Sequence, residues 1–316
     1  MICGTKIESN VIASQIALHQ KWGGVVPEAA ARAHVESINT VVEEALRQAN
    51  RTLNQIDGFA ATNRPGLIGA LSVGVSAAKA LAYFSSKKWI GIHHLEGHIW
   101  SILSAEPELE PPFISLVVSG GHTELVYVRG LGEYEILGET VDDAAGEAFD
   151  KAARTIGLPY PGGRALSELA TESSGNRYSL PVAKVKGMNF SFSGLKTAVW
   201  QTVEREGKLL DRATFAHCIQ EAIIKPLVIQ SERAMEERSC KIFTVCGGVS
   251  ANVRLREALK QSCTRRGIHF LAPETSLCTD NAAMIGLTAS MRFERGESST
   301  WHEDVSSNAP ISSKLV

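Results

Sequence analysis

The sequence is poor in the features that usually place a chain quickly. Its six cysteines, Cys3, Cys218, Cys240, Cys246, Cys263 and Cys278, form no C-x-x-C pair and no regular framework. That excludes a disulfide-stapled scaffold and predicts reduced thiols in a cytosolic-type compartment. Net charge is almost absent: 32 basic against 34 acidic residues leave −2. Bulk attraction to nucleic acid is therefore excluded, and any RNA contact has to be a local patch or be shared with a partner. No apolar run is long and uncharged enough for a bilayer. The longest, residues 67–84, is rich in Gly, Ala and Ser and interrupted by Lys79, which predicts a close-packed core helix and no membrane contact. The first ten residues carry neither a signal-peptide nor an Arg-rich transit pattern.

What remains is an ordinary globular α/β pattern. For 316 residues with 44% hydrophobic content, two packed lobes are expected rather than one. Val26-Pro27 opens a helix in which Val35, Ile38, Val42, Ala45 and Leu46 are spaced to bury one face. Residues 56–62 predict a strand, Arg64-Pro65-Gly66 a turn into a helix over 67–82, and residues 89–92 a strand running into a segment that carries His94 and His98. The acidic, Pro-rich stretch 106–112 is the expected linker. Beyond it, residues 113–118 and 124–128 predict a hairpin across Ser119-Gly120-Gly121-His122-Thr123. Helices are expected over 142–156 and 164–172. A buried strand over 241–246 enters Gly247-Gly248 and a helix through 254–262, followed by a strand at 268–271 and a helix over 281–292.

Several of these segments carry residues suited to chemistry, each with a plainer reading beside it. His94 and His98, one helical turn apart, have the spacing two nitrogen ligands of a divalent metal need, although an isolated H-x-x-x-H is better explained by core or surface histidines, because two nitrogens do not complete a site. Asp280, at the start of the last helix, offers a third, oxygen ligand or a helix cap, and the two roles are compatible. The Ser-Gly-Gly turn suits any hairpin. Its likeness to the strand and Gly-Gly pair at 245–248 points to backbone N–H groups that cradle a nucleotide's phosphate. Asp143, Glu147 and Asp150 share one helical face, either as a solvated stripe with Asp150 paired to Arg154 or with Asp150 bonding a ligand. Pro161-Gly162-Gly163 and residues 190–197 are expected as loops of small residues where backbone approaches a ligand closely.

Read in order, His94-Leu95-Glu96-Gly97-His98, Val117-Val118-Ser119-Gly120-Gly121-His122-Thr123, residues 142–151, Tyr160-Pro161-Gly162-Gly163, residues 190–197, Gly247-Gly248-Val249-Ser250-Ala251-Asn252 and Cys278-Thr279-Asp280-Asn281 resemble the successive signatures of the TsaD family, the tRNA N6-adenosine threonylcarbamoyltransferases. The resemblance runs from about residue 11 to 292. It implies an α/β, two-lobed fold of the actin, hexokinase and heat-shock chaperone type, with nucleotide and metal in the interlobe cleft. The first lobe would take residues 1–110, joined by a helix over about 281–295, and the second residues 111–280, leaving 296–316 as a polar tail. The implied reaction moves the threonylcarbamoyl group of threonylcarbamoyl-AMP to N6 of the adenosine adjacent to the anticodon in ANN-decoding tRNAs, in the cytoplasm. Carried over by motif, His94, His98 and Asp280 would hold one divalent metal, iron(II) ahead of zinc(II). Val117, Val118, Ser119, Gly120, Gly121, Asp150, Gly163 and Asn252 would bind the adenylate. The basic cluster Arg254, Arg256, Lys260, Arg265 and Arg266 would meet tRNA or form a solvated helix face, with accessory subunits helping to hold the RNA.

Two departures accompany the likeness. Family members begin with a strand, an Ile-Glu-Thr-Ser-Cys-Asp-Glu-Thr loop and a second strand, whereas residues 1–8 leave no room for them and residues 9–15 align with the second strand. A first-lobe sheet short of one strand, and an impaired enzyme or a start placed too late, are the expectations. Arg64 stands where the family has Gly, near the cleft or pointing outward. The competing enzyme class is a zinc metallopeptidase of the O-sialoglycoprotein endopeptidase kind. It needs Glu directly after the first His, but Glu96 lies two residues on, about 200° round a helix. A non-catalytic nucleotide-binding scaffold is disfavoured by the presence of His94, His98 and Asp280 together.

Overall fold

A computed structural model of the chain describes residues 1–311. The chain divides into two compact units, Met1–Leu109 together with the chain from Thr279 onward, and Glu110–Cys278. The first opens with a hairpin, β1 (Ile2–Cys3) and β2 (Lys6–Ile7), then α1 (Ile16–Gln20), α2 (Pro27–Gln48), β3 (Gly58–Arg64), α3 (Ile68–Phe84), β4 (Lys88–His93) and α4 (His94–Trp100). The second holds β5 (Phe113–Val118), β6 (Thr123–Gly130), β7 (Glu133–Glu139), α5 (Ala145–Thr155), α6 (Gly162–Ala170), α7 (Ser193–Glu206), α8 (Arg212–Arg238), β8 (Ile242–Cys246), α9 (Val253–Arg265) and β9 (His269–Leu271). The chain returns to the first unit with α10 (Ala282–Glu294).

In the first unit β3 and β4 pair in parallel, from Gly58 opposite Lys88 to Thr62 opposite Ile92. A parallel pair needs a crossover, which α3 supplies. Period-two alternation sorts the side chains of β4: Ile90 and Ile92 pack on Met284, Ile285 and Ala289 of α10, and Trp89 on Val75 and Ala82 of α3. The strand stops at His93 because that imidazole starts a helix, its Nδ1 accepting the Leu95 N–H at 3.2 Å. His94 is thereby set at the carboxyl end of the strand. Pro27 occupies the first turn of α2, where its missing N–H does no harm. The apolar face expected on α2 is only half-buried, however, and Val35 is 61% exposed.

Residues 9–15 form no strand. Ladder bonds need a neighbouring strand edge, and this segment is held by side chains to α2 instead, Ser9 Oγ donating to the Ala45 carbonyl at 2.8 Å and Gln15 Nε2 to that of Ala30 at 3.4 Å. At the other end, residues 299–309 are tied to the first unit. The Ser299 N–H donates to the Trp89 carbonyl at 3.0 Å, covering the free edge of β4, and Lys79 Nζ donates to the carbonyls of Trp301 and Glu303. Arg64 does not point outward: its side chain is 12% exposed and lies 3.4 Å from Glu303. Of the polar tail expected over 296–316, residues 312–316 lie outside the described residues.

The second unit is built on a sheet of order β7-β6-β5-β8-β9. β5, β6 and β7 form an antiparallel meander, and β8 and β9 add in parallel. Ile114, Leu116 and Val118, alternate residues of β5, enter a large core with Phe149 of α5 and Ile219, Ile223 and Leu227 of α8. β7, α7 and α8 fall where the sequence patterns predict no element. Residues 190–197, expected as a loop, turn helical from Ser193.

Candidate functional site

In the first unit, α4 and the start of α10 bring three potential ligands together. The ring nitrogens of His94 and His98 and a carboxylate oxygen of Asp280 all lie within 4.8 Å of one another. Asp280 Oδ1 is 3.5 Å from His94 Nε2 and 3.2 Å from His98 Nε2, and the two imidazoles meet edge to face with centroids 4.7 Å apart. Asp280 does not cap α10. Asn281 does, its Oδ1 accepting the Met284 N–H at 2.9 Å while its Nδ2 donates to the Thr279 carbonyl. The Asp280 carboxylate is thus held beside the histidines by its neighbour's cap.

Whether these residues fit a metal is decided at His98. Its side chain is fully buried, and neither ring nitrogen has a hydrogen-bond partner among the described residues, the 3.2 Å contact to Asp280 lacking hydrogen-bond geometry. Burying such a group without a partner costs about 1–3 kcal/mol. A cation among the three donors would relieve that penalty, since donors on one metal at bonds of about 2.1 Å stand roughly 3–4 Å apart. The Asp280 side chain is 76% exposed, so the cluster is open to a further ligand on one side.

Glu96 faces away from the histidines. It is buried and forms a two-point ion pair with Arg292 of α10, Oε1 to Nη2 at 2.6 Å and Oε2 to Nε at 3.2 Å. Burial opposes the charge on Arg292, but Glu96 and then Glu297 more than offset it and hold the guanidinium above its ordinary value. A peptidase general base at Glu96 is ruled out by this pairing. Sequence pattern alone does not reveal the pair, because Glu96 and Arg292 are far apart in the chain.

In the second unit the Ser119–His122 turn closes on itself, Ser119 N–H to the His122 carbonyl at 2.8 Å and His122 N–H to Ser119 Oγ at 3.1 Å. Gly120 and Gly121 are exposed, and a Cβ on either would meet nothing within 4 Å. Val117 and Val118 have fully buried side chains and offer only backbone to a ligand. Gly247 faces the end of β5: its φ is +89°, and a Cβ there would stand 2.4 Å from the Val118 carbonyl oxygen. The strand-Gly-Gly segment after β8 is thereby pressed against the residues that lead into the Ser-Gly-Gly turn.

Asp150 is not part of a solvated stripe. Asp143 and Glu147 pair with Lys151, whereas Asp150 Oδ1 accepts the N–H groups of Gly162 at 2.7 Å and Gly163 at 3.2 Å at the start of α6. Burial raises its carboxyl in spite of those two bonds. Asn252 is engaged at both ends: its Oδ1 caps α9 through the Leu255 N–H, and its Nδ2 donates to Ser167 Oγ at 2.7 Å and Gln220 Oε1 at 2.8 Å. Three members of the basic cluster on α9, Arg254, Arg265 and Arg266, are paired with carboxylates. Arg254 pairs with Glu221, Arg265 and Arg266 with Glu232, Arg266 also with Glu236, and Arg256 donates to the carbonyls of Ser250 and Pro273. Of the two readings of this cluster, the RNA patch has the weaker support. Among the described residues no helix is long and apolar enough to cross a membrane.

Known proteins similar to this chain agree with one another. The family model for tRNA N6-adenosine threonylcarbamoyltransferase matches residues 6–287. A protein of that name from Clostridium botulinum strain 657 is 47% identical over 301 residues, 94% of this chain and 88% of the relative. Another from Caldicellulosiruptor bescii is 46% identical over 308 residues, 95% of this chain and 90% of the relative. Among solved structures, full-length HypF in a phosphate- and nucleotide-bound form superposes with a TM-score of 0.60 at 14% identity, over 83% of this chain and 42% of HypF. Component A of the Acidaminococcus fermentans (R)-2-hydroxyglutaryl-CoA dehydratase superposes with a TM-score of 0.51 at 14% identity, over 81% and 83% of the two chains. These likenesses place the α/β fold in the actin, hexokinase and heat-shock chaperone class. They lend no support to a peptidase or to an inert scaffold.

Proposed function

The chain belongs to the tRNA N6-adenosine threonylcarbamoyltransferase family and is a tRNA-modifying acyltransferase; from that premise we propose which residues serve the reaction and how. The reaction we infer joins N6 of an adenosine next to the anticodon to the carbamoyl carbon of threonylcarbamoyl-AMP, breaks the bond from that carbon to the phosphate oxygen, and releases AMP and the amine proton. An exocyclic amine is a weak nucleophile, but a mixed carbamic-phosphoric anhydride is already activated. The protein's task is to position both partners and to favour departure of AMP.

The exposed Gly120-Gly121 backbone, unhindered by any Cβ, receives phosphate, with Val117, Val118 and Ser119 contributing main-chain groups. Asp150, with Oδ1 engaged by Gly162 and Gly163, offers Oδ2 to a hydroxyl of the adenylate beside Gly163. Asn252 acts as a brace, holding the start of α9 against Ser167 of α6 and Gln220 of α8. His94, His98 and Asp280 would hold one divalent metal, which would supply positive charge to offset that of the departing phosphate. Two histidines with one carboxylate suit iron(II) and zinc(II) alike, and iron is proposed ahead of zinc on the family resemblance alone. Because Glu221, Glu232 and Glu236 pair with Arg254, Arg265 and Arg266, accessory subunits help to hold the tRNA. Free cysteines and bacterial relatives support a cytoplasmic setting.

The observation that carries this reading is buried His98, its ring nitrogens without hydrogen-bond partners, beside Asp280. His94→Ala and Asp280→Ala are expected to lose bound metal and at least tenfold in transfer to tRNA while melting as the parent does. Elemental analysis of the purified variants checks it. Full stoichiometric metal in His94→Ala would show that the site is wrongly assigned.

A further inference from the structure

We propose that the buried Glu96–Arg292 ion pair sets the roll of α4 about its own axis and so aims His94 and His98 at Asp280. The proposal rests on the metal reading above, and it makes Glu96 and Arg292 positioning residues. α4 is only seven residues long, too short to hold an orientation by its own hydrogen bonds. Its crossing with α10 is made at Gly97, where a Cβ would stand 2.7 Å from Ile285 Cδ1 and 3.4 Å from Met284 Cγ. A glycine crossing permits close approach, but it presents no side-chain knob that resists rotation. The seat fixes its distance from α10, and the buried Leu95, Ile99 and Trp100 limit its rotation by packing, but apolar packing is non-directional and leaves the finer azimuth to a directional contact.

Glu96 supplies that restraint from the side opposite the metal ligands, about 200° round from His94. Its carboxylate meets Arg292 at two points, 2.6 Å and 3.2 Å, with side-chain exposures of 3% and 20%. Fork-to-fork pairing of this kind fixes direction as well as distance. Arg292 lies in α10, the helix whose cap follows Asp280, so the pair joins the two ligand-bearing elements directly. The lever is long. A roll of about 20° swings an imidazole nitrogen roughly 6 Å from the helix axis through about 2 Å, some ten times the tolerance of a metal–ligand bond. For stability alone two apolar side chains would serve as well as a buried ion pair. Orientation is what a charged fork adds.

The test replaces the pair by Glu96→Leu with Arg292→Met, which fills the space without charge. Apo protein is melted, and it is then titrated with cobalt(II), followed by its visible absorption. The expected result is a cooperative melt close to that of the parent, with cobalt affinity reduced ten- to a hundredfold, the usual size of an outer-shell effect, and an altered ligand-field band. Parental affinity and an unchanged band would overturn the proposal. If the double variant does not melt cooperatively, Arg292→Lys decides: it keeps the charge and loses the fork, and parental cobalt affinity there also overturns the proposal. His94→Ala runs alongside. Should it titrate like the parent, the metal reading itself falls, which separates that failure from failure of the positioning role.

Discussion

Glu124 buries a carboxylate beside the Ser-Gly-Gly turn, and its Oε2 has no hydrogen-bond partner among the described residues. Burial, and then Glu139 directly opposite across β6 and β7, push its carboxyl from the ordinary 4.5 up to about 7. Between those two values the folded protein binds more protons than the unfolded chain, so stability falls as pH rises through the window and levels off above it. The full shift corresponds to about 3 kcal/mol, an upper bound because water reaches part of the side chain. Glu124→Gln should therefore flatten the pH dependence of stability between about pH 4.5 and 7 and stabilise the protein at pH 8 by about 1–3 kcal/mol. Urea denaturation at several pH values measures it, and parallel curves for parent and variant would show that Glu124 is ionised in the folded protein at neutral pH. Nothing in the sequence marks this residue, since its environment depends on β7, an edge strand whose Glu133, Glu135 and Glu139 mask its alternation. His94 and His98, by contrast, stand out in the sequence by their spacing, although spacing alone favours core or surface histidines over ligands. Asp280 required the third dimension to separate ligand from cap, because only the fold shows that Asn281 has the capping role.

At the scale of elements, Asn252 links α9 to α6 and α8. Asn252→Ala removes an N-cap, about 1 kcal/mol, and leaves Ser167 and Gln220 short of a donor, about 1–3 kcal/mol more. We expect a cooperative melt at lower temperature, with AMP affinity lowered at most severalfold once the protein is folded. Loss of AMP binding with an unchanged melt would show that the side chain contacts the ligand rather than bracing the wall. The elements that sequence patterns reveal are those with a clear apolar run or a clear stop: β4 with its apolar run from Trp89 to Ile92, α2 with Pro27 at its start, the β5–β6 hairpin with its glycines. α8 is illegible for a physical reason. It is buried on several faces, from Phe215 through Ile223 to Met235, so no apolar stripe stands out, and Pro226 inside it reads as a breaker. α7 hides behind the small residues at its start, where Asp142 holds the segment leading into the helix by accepting bonds from Ser191, Phe192 and Ser193.

At the scale of the molecule, the two candidate ligand sets fall in different compact units. His94, His98 and Asp280 belong to the unit formed by residues 1–109 and the chain from Thr279 onward. Ser119 to Gly121, Asp150 and Gly163, with Asn252 as their brace, belong to the unit of residues 110–278. Ligand binding to the native state stabilises what it touches, by about 2.7 kcal/mol at a hundred times the dissociation constant. Metal and nucleotide should therefore leave separate footprints in amide hydrogen exchange. Cobalt(II) added to apo protein is expected to slow exchange in α4 and in the first turns of α10, where the ligands sit, and to leave the Ser119–His122 turn and the start of α6 unchanged. AMP added to metal-free protein should do the reverse, protecting the turn and the Gly162-Gly163 amides and leaving α4 as it was. Protection of α4 by AMP alone, equal to that given by cobalt, would mean that the phosphate site has been placed in the wrong unit.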